Sequence, residues 1–139
     1  MKIKIEDIGD YLKSHGIKPS YQRIKIFEYL VKYRNHPTVD MIYQELVQDI
    51  PTLSKTTVYN TINLFVEEKI VIEIVIENNE VRYDADISIH GHFKCDKCKK
   101  IFDLDLDLES VNLQSLTNFQ INEHHIYFKG ICNDCLKKA

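Results

Sequence analysis

Two Cys-x-x-Cys pairs are the residues of this chain best suited to chemistry. They contain all of its cysteines, Cys95 with Cys98 and Cys132 with Cys135. One such pair could act in redox chemistry, and both pairs could instead be buried structural thiols. Two pairs together can offer four thiolates to one tetrahedral ion. Because a closed all-cysteine site leaves no open coordination position, the spacing favours a structural Zn²⁺ site that takes no part in catalysis.

Histidines and carboxylates form a second group of possible metal ligands. His90 and His92 are two residues apart on an expected strand, so both side chains project from one face. Asp84 and Asp103 lie on either side of them along the chain, and His36 precedes an expected helix. Imidazole and carboxylate ligands suit Fe²⁺, Mn²⁺ or Zn²⁺. Each residue alone is more simply explained as a surface residue, so a shared site requires the fold to bring the residues together.

The first half of the chain has the apolar periodicity of helices. Capping and breaking residues predict one helix that ends at Gly16, one that opens at Pro19-Ser20, one capped by Thr38 and one capped by Ser54. The apolar residues expected to face inward are Ile5, Ile8, Leu12, Ile24, Phe27, Leu30, Val31, Val39, Ile42, Leu46, Val58, Ile62 and Phe65.

A β-hairpin is expected after the fourth helix. Residues 70–76 are rich in β-branched side chains, 77–80 predict a turn, and 81–84 predict a second strand. Helices followed by a hairpin are typical of a winged helix-turn-helix, whose fourth helix here would enter the major groove of DNA. A solvated helix face explains the polar stripe of that helix about as well. The candidate DNA-contacting residues are Arg23, Lys55, Thr56, Thr57, Tyr59, Asn60 and Asn63.

Charge and hydropathy narrow the classes of partner. The net charge of −3 argues against nucleic acid, but residues 13–60 hold seven basic and four acidic residues, a local charge of +3. Phosphate contacts depend on this local field rather than on the total. The sequence shows neither an apolar stretch long enough to span a membrane nor a leader peptide. We therefore expect a cytoplasmic protein with no membrane partner.

The second half of the chain is expected to be rich in strands, at 90–95, 100–106 and 119–131, with one helix near 108–117. The predicted fold class is α+β. A winged helix-turn-helix domain at 1–84 precedes an α/β domain at 85–139 that carries the cysteines.

These motifs, over essentially the whole chain, resemble those of the ferric uptake regulator (Fur) superfamily of metal-dependent repressors. The resemblance lies in His36-Pro37-Thr38, in the segments 54–62, 82–84 and 90–98, and in the second cysteine pair. It implies that the C-terminal domain dimerises and that a homodimer binds palindromic operator DNA. It also implies structural Zn²⁺ at Cys95, Cys98, Cys132 and Cys135, and regulatory Fe²⁺ or Mn²⁺ at His36, Asp84, His90, His92 and Asp103.

Within the superfamily the chain resembles the peroxide-sensing branch, because iron-sensing members usually have Glu at the positions of Asp84 and Asp103. In that branch Fe²⁺ reacts with hydrogen peroxide and oxygen is added to a histidine ligand; by match, the residues oxidised would be His36 and His90. An iron-sensing or other metal-uptake repressor stays open. So do a non-haem Fe²⁺ oxygenase with a facial triad of His90, His92 and Asp103, and a zinc-ribbon interaction protein. Since half of the chain predicts a DNA-binding architecture, we expect a regulator rather than an enzyme.

Overall fold

The chain folds into two units, Met1–Ser88 and Ile89–Ala139. The computed structural model describes residues 4–77, 80–88, 90–122 and 124–138, and leaves the side chains of Ile5, His90 and Leu108 undescribed. The domain boundary predicted after Asp84 lies at the end of the last strand in the first unit.

Helices dominate the described part of the first unit. A 3₁₀ turn at Ile5–Asp7 leads into the first of them. The helices are α1 (Ile8–Ser14), α2 (Tyr21–Tyr33), α3 (Val39–Leu46) and α4 (Lys55–Glu67). The prediction of helices in these four places is confirmed.

Hydroxyl caps begin α2, α3 and α4. The side-chain oxygens of Ser20, Thr38 and Ser54 accept hydrogen bonds of 3.2, 3.1 and 3.0 Å from the backbone N–H groups three residues later. Each bond satisfies one of the donors that a helix start leaves without an intrahelical partner. The predicted caps are therefore confirmed, and they fix where each helix begins.

Gly16 ends α1 as predicted. Its φ is +75°, a conformation that a residue without a Cβ adopts at little cost. The N–H groups of Gly16 and Ile17 donate to the carbonyls of Lys13 and Leu12 at 3.1 and 3.0 Å, the two bonds of a Schellman motif. The buried Ile17 then packs into the core.

The apolar stripes of these helices meet in one core. The rings of Phe27 on α2 and Phe65 on α4 pack edge to face with centroids 5.5 Å apart. Of the residues expected to face inward, Ile24, Val31, Val39 and Leu46 are only partly buried against this core, and Ile5 falls outside the described side chains. The buried members are Ile8, Leu12, Ile17, Ile26, Phe27, Tyr29, Leu30, Ile42, Ile50, Leu53, Val58, Ile62, Phe65, Ile70, Val71, Tyr83 and Ala85.

The predicted hairpin is present, with one correction at its start. Strands β1 (Ile72–Glu77) and β2 (Glu80–Asp84) pair antiparallel; residues 78–79 of the predicted turn lie outside the described residues. The first strand does not begin at Ile70. Ile70 donates its N–H to the carbonyl of Phe65 at 3.0 Å after Lys69 at φ +62°, so it closes α4 instead.

A mixed sheet forms the framework of the second unit. Strand β3 (His90–Cys95) lies between β4 (Ile101–Asp105), which is antiparallel to it, and β5 (Tyr127–Gly130), which is parallel to it. A short helix, α5 (Asn133–Lys137), follows β5 and was not predicted. The α+β class, with a helical unit followed by a strand-rich one, is confirmed.

The predicted helix near 108–117 is wrong. Two 3₁₀ turns, Leu108–Ser110 and Gln114–Leu116, occupy this stretch. The side chains of Asp107 and Asn112 accept the backbone N–H groups two residues later, at 3.0 and 3.1 Å. Such local bonds compete with helical hydrogen bonds. The strand observed in the predicted stretch 119–131 is also shorter than expected, because its hydrogen-bonded pairing with β3 covers only β5.

No helix in the described ranges is both long enough and apolar enough to cross a membrane.

Candidate metal centres and nucleic-acid surface

The four cysteines lie together at the end of the sheet in the second unit. Cys95 is the last residue of β3 and Cys98 follows in a tight turn, while Cys132 directly precedes α5 and Cys135 is the middle residue of that helix. One ligand atom from each lies within 4.8 Å of the others. The two knuckles are joined by a 2.7 Å hydrogen bond from the N–H of Asp96 to the carbonyl that ends β5.

The spacing of the sulfurs fits a tetrahedral ion. The Sγ atoms of Cys98 and Cys132 are 3.8 Å apart. A tetrahedron with metal–sulfur bonds of about 2.3 Å has edges of about 3.8 Å. Cys95, Cys132 and Cys135 are buried, and Cys98 is exposed. The cluster therefore has the ligand type, number and spacing of a closed zinc site.

Backbone amides favour a thiolate at Cys95. Burial acts to raise the pKa of this thiol, but N–H groups of Cys132 and Cys98, each 3.4 Å from its sulfur, oppose burial. The pKa of Cys95 is lowered to about 6. Hydrogen bonding with Cys132, together with burial, raises the pKa of Cys135 to about 12. A divalent cation would relieve this conflict by letting all four sulfurs ionise, which is the chemistry that a structural Zn²⁺ ion supplies.

His36 and Asp84 lie together in the first unit. His36 is in the loop between α2 and α3 with a φ of +50°, and Asp84 ends β2. Two hydrogen bonds join loop and strand: the N–H of Tyr83 donates to the carbonyl of Pro37 at 3.0 Å, and Arg82 donates to the carbonyl of His36 at 3.1 Å. Both predicted ligands are buried, and His36 Nε2 is 3.4 Å from Asp84 Oδ2.

His92 and Asp103 form a similar pair in the second unit. They are direct partners in the register of β3 and β4, and His92 Nε2 is 3.4 Å from Asp103 Oδ1. His92 is buried, whereas the Asp103 side chain is 36% exposed. His90 lies two residues earlier on β3, paired through its backbone with Asp105; its side chain is outside the described part of the chain. The predicted ligands thus meet in two pairs, one within each unit.

The polar stripe of α4 is on the surface of the first unit. Thr56, Tyr59 and Asn60 are exposed, and Asn63 is half-buried. Tyr59 leaves 52% of its surface in solvent. These side chains follow one another at helical spacing, opposite the buried face of α4. Their exposure leaves them available to contact bases or phosphates.

The remaining candidate DNA contacts already make bonds within the first unit. Lys55 Nζ is 2.8 Å from Asp40 Oδ1, and both side chains are exposed. Thr57 Oγ1 is 2.8 Å from the capping hydroxyl of Ser54, which ties it to the start of α4. The guanidinium of Arg23 donates to the carbonyl of Lys18 at 3.0 Å.

Comparison with known proteins identifies the family of the chain that carries these sites. Residues 14–129 match the ferric uptake regulator family. This protein belongs to that family. Its members are transcriptional regulators, so at the level of the family the prediction of a non-enzyme is confirmed.

A curated relative and two solved structures are similar to this protein over most of its length. The peroxide-responsive repressor PerR of Staphylococcus saprophyticus is 33% identical over 138 residues, covering 97% of this chain and 93% of its own. The Helicobacter pylori ferric uptake regulator, described as having three functional metal-binding sites, superposes with a TM-score of 0.78 over 98% of this chain and 97% of its own at 23% identity, a likeness of fold alone. PerR of Streptococcus pyogenes, described in terms of peroxide sensing and gene regulation, is 30% identical with a TM-score of 0.54, covering 94% of this chain and 92% of its own.

This member of the ferric uptake regulator family also carries features that its sequence pattern does not indicate. One is Arg34, whose guanidinium reaches acidic residues about 50 positions later; no spacing rule could have indicated that contact. The other is a group of exposed apolar side chains in the second unit. It could have been found from the apolar residues of 111–121, had they not been assigned to a helix. The group consists of Val111, Leu113, Leu116, Phe119, Ile121 and Phe128.

Proposed function

We propose that this protein is a metal-dependent, peroxide-sensing transcriptional repressor that binds palindromic operator DNA as a homodimer. One observation carries the proposal. A chain 33% identical to a peroxide-responsive repressor holds a histidine–aspartate pair in each of its two units. In both pairs the carboxylate belongs to Asp, the residue that the resemblance associates with peroxide sensing.

The regulatory Fe²⁺ or Mn²⁺ is assigned to His36, Asp84, His90, His92 and Asp103. Nitrogen and carboxylate oxygen donors are the ligands that these ions accept in proteins. Because the two pairs belong to different units, an ion held by both would favour the arrangement of the units in which all ligands reach it. If operator DNA favours the same arrangement, metal binding and DNA binding strengthen each other by the same factor.

His36 and His90 are the residues assigned to peroxide sensing. When bound, Fe²⁺ supplies the redox chemistry by which hydrogen peroxide oxidises a histidine ligand. In the net reaction a carbon–hydrogen bond of the imidazole becomes a carbon–oxygen bond. The histidine is oxidised by two electrons, the peroxide is reduced by two, and the second peroxide oxygen leaves as water. An imidazole changed in this way is a poorer ligand, so the repressor loses its metal and then its DNA.

Helix α4 is assigned to the major groove of the operator. Its exposed residues Thr56, Tyr59 and Asn60 are suited to bases and phosphates, with Asn63 further along the same stripe. Lys55, Thr57 and Arg23 lie near the starts of α4 and α2, where positive charge and backbone N–H groups favour phosphate. The local charge of +3 over residues 13–60 supports this assignment.

Exposed apolar side chains support the homodimer. Among the described residues of the second unit, the buried core cluster consists of Cys95, Cys132 and Cys135, with Phe93 and Ile131 packed against it; Ile101 is also buried. Phe119, Phe128 and Ile121 leave 66%, 51% and 50% of their surfaces in solvent. A small unit with little core and much exposed apolar surface is typical of one that is completed by a partner. In the proposed homodimer, that partner is a second copy of this chain.

Anaerobic loading with Fe²⁺ followed by hydrogen peroxide tests the function. An operator is first selected from a pool of random duplex DNA with Mn²⁺-loaded protein. The Fe²⁺-loaded protein is then treated with peroxide, operator binding is measured by fluorescence anisotropy, and peptides are mapped by mass spectrometry. We expect one added oxygen atom on the peptide containing His36 or His90, together with loss of operator binding.

The Mn²⁺-loaded protein is the matched control, because Mn²⁺ supports binding without the same reaction with peroxide. After peroxide treatment its histidines should be unmodified, and it should still bind the operator. Unmodified histidines in an Fe²⁺-loaded protein that still binds DNA would identify an iron- or other metal-sensing repressor instead. Failure to select any operator in the presence of either metal would overturn the proposal as a whole.

A further inference from the structure

Arg34 lies directly beside the proposed metal ligands of the first unit. It ends α2 in the left-handed region at φ +49°, two residues before His36 at φ +50°. Residues other than glycine seldom adopt this conformation, so two of them in one short loop need contacts that hold them. The side chain of Arg34 reaches across to β2 and the residues after it.

The guanidinium contacts two carboxylates. Arg34 Nη2 donates to Asp86 Oδ2 at 3.1 Å, and Arg34 Nε is 3.9 Å from Asp84 Oδ1. Asp84 is 3% exposed and Asp86 is 16% exposed, so the positive charge lies against acidic groups that are largely removed from water. A cation in this position offsets part of the cost of burying a carboxylate.

The two oxygens of Asp84 have different neighbours. Oδ1 accepts the backbone N–H of Asp86 at 2.9 Å and faces Arg34, whereas Oδ2 faces His36 Nε2 at 3.4 Å. Hydrogen bonds of this kind orient a metal-ligating carboxylate and fix which oxygen it presents. Oδ2 and the His36 ring are therefore the atoms turned toward one another.

The geometry points to Arg34 as a positioning residue for the regulatory metal. Its guanidinium holds Asp84 and the loop that carries His36, so that both ligands are in place before the ion arrives. The assignment rests on the proposed function, because it takes His36 and Asp84 to be metal ligands. Arg34 itself is not a ligand, and it acts through the orientation of Asp84.

Mn²⁺ binding by variants of Arg34 tests this role. Free Mn²⁺ has an electron paramagnetic resonance signal that disappears on binding, so its loss measures Kd for the zinc-containing protein directly. Arg34→Asn removes the charge but keeps a residue that tolerates positive φ. Losing a contact that orients a ligand weakens metal binding by about 10–100-fold. We expect the Kd of Arg34→Asn to rise by at least about tenfold, and that of Arg34→Lys, which keeps the charge, by less.

Two measurements separate positioning from a general structural effect. Arg34→Asn should keep the zinc content of the parent and its helical circular dichroism, because the cysteine cluster lies in the second unit and the αL position is preserved. Asp86→Asn removes the other end of the ion pair without touching the loop, and should raise Kd in the same direction. A parental Kd in both Arg34→Asn and Asp86→Asn would overturn the inference, as would equal losses in the Asn and Lys variants of Arg34.

His36→Ala distinguishes failure of this inference from failure of the proposed function. If His36→Ala loses Mn²⁺ binding while Arg34→Asn binds like the parent, only the role of Arg34 is wrong. If His36→Ala also binds like the parent, the regulatory site has been assigned to the wrong residues, and the inference about Arg34 fails with it.

Discussion

The type and spacing of four cysteines predict the proposed zinc site, whereas the environment of each sulfur depends on the fold. Cys95 is central to it, because its sulfur accepts backbone N–H groups from both knuckles. The spacing of the cysteine pairs was enough to predict the cluster. The amides that favour its thiolate form could not be predicted, since they depend on how the chain turns after β3 and before α5.

Replacing Cys95 should remove the structural metal. Apparent binding free energies of such sites are on the order of 10 kcal/mol, much of it folding free energy. We expect Cys95→Ser to lose its zinc and to unfold the second unit, as measured by metal content and near-ultraviolet circular dichroism.

Asp103→Ala is the matched control for the cysteine variant, since it alters a partly exposed residue of the same unit. It should keep zinc and fold while its regulatory-metal and operator binding are impaired. Retention of one zinc per chain by a folded Cys95→Ser protein would contradict the structural role of the cluster.

Tyr83 gives the first unit a pH dependence. Burial, with the charge of its cross-strand partner Glu73 as the next cause, raises the pKa of Tyr83 from 10 to about 12. The folded state therefore favours the neutral phenol. Its contribution to stability is fully present below pH 10 and is lost as the pH rises from 10 towards 12.

Tyr83→Phe should remove this dependence. From the linkage relation, the parent loses about 1 kcal/mol between pH 9 and pH 11 that the variant keeps. Urea unfolding followed by helical circular dichroism at the two pH values measures the difference. Tyr21→Phe, which alters a tyrosine with 63% of its surface exposed, should behave like the parent. Equal losses in the Tyr83 and Tyr21 variants would refute the assignment.

At the scale of elements, caps carried more information than periodicity. Helices α2 to α4 begin where a serine or threonine hydroxyl was expected to cap them, and Gly16 ends α1. The helix predicted near 108–117 has apolar residues at suitable positions, yet the side chains of Val111, Leu113 and Leu116 are exposed. A short helix is stable chiefly when its apolar face is packed, and the polar side chains of this stretch bond locally instead.

Helix α5 was missed although a signal for it exists. Asp134 lies in its first turn and Lys137 in its last, which is the charge order that the helix dipole favours. A helix of five residues is too short to show a helical periodicity of apolar residues in the sequence. The second cysteine pair determines where this helix lies in the chain. The helix could therefore be predicted from the sequence together with the metal site.

The ion pair between α3 and α4 predicts a gain in DNA binding. Lys55 and Asp40 are both exposed, and such pairs contribute about 0–1 kcal/mol to stability. Asp40→Asn should leave stability unchanged and release Lys55 for a phosphate. We expect tighter binding to random duplex DNA and a steeper dependence on salt, by about one unit of log–log slope, in anisotropy titrations.

Glu28→Gln is the control for charge alone, because its carboxylate faces Lys25 at 3.7 Å rather than Lys55. It changes the net charge as Asp40→Asn does, but should affect binding less. If both variants bound DNA equally well, the effect would come from net charge and Lys55 would have no particular role.

At the scale of the whole molecule, the exposed apolar group of the second unit predicts how the protein assembles. A double change, Phe119→Ser with Ile121→Ser, removes two large side chains from each copy. Burying a side chain of this size contributes about 1.5–3 kcal/mol. The dimer should lose on the order of 6 kcal/mol and dissociate at micromolar concentration, as measured by sedimentation.

Val75→Ser tests whether any exposed apolar residue has the same effect. Val75 is 39% exposed on β1 of the first unit. This variant should remain a dimer. A dimeric Phe119→Ser, Ile121→Ser protein would show that the homodimer is formed by another surface.

The two cysteine pairs stand at opposite ends of the stretch from residue 99 to residue 131, and β3 and β5 pair in parallel beside them. A metal ion held by both pairs would close a ring in a chain that has no disulfide among its described residues. A protease that cut this ring at its exposed middle would produce two fragments, yet four sulfur–metal bonds and a strand ladder would still join them. Such a nicked protein would migrate as one species under native conditions until a chelator removed the ion, whereas a denaturing gel would show two fragments at once.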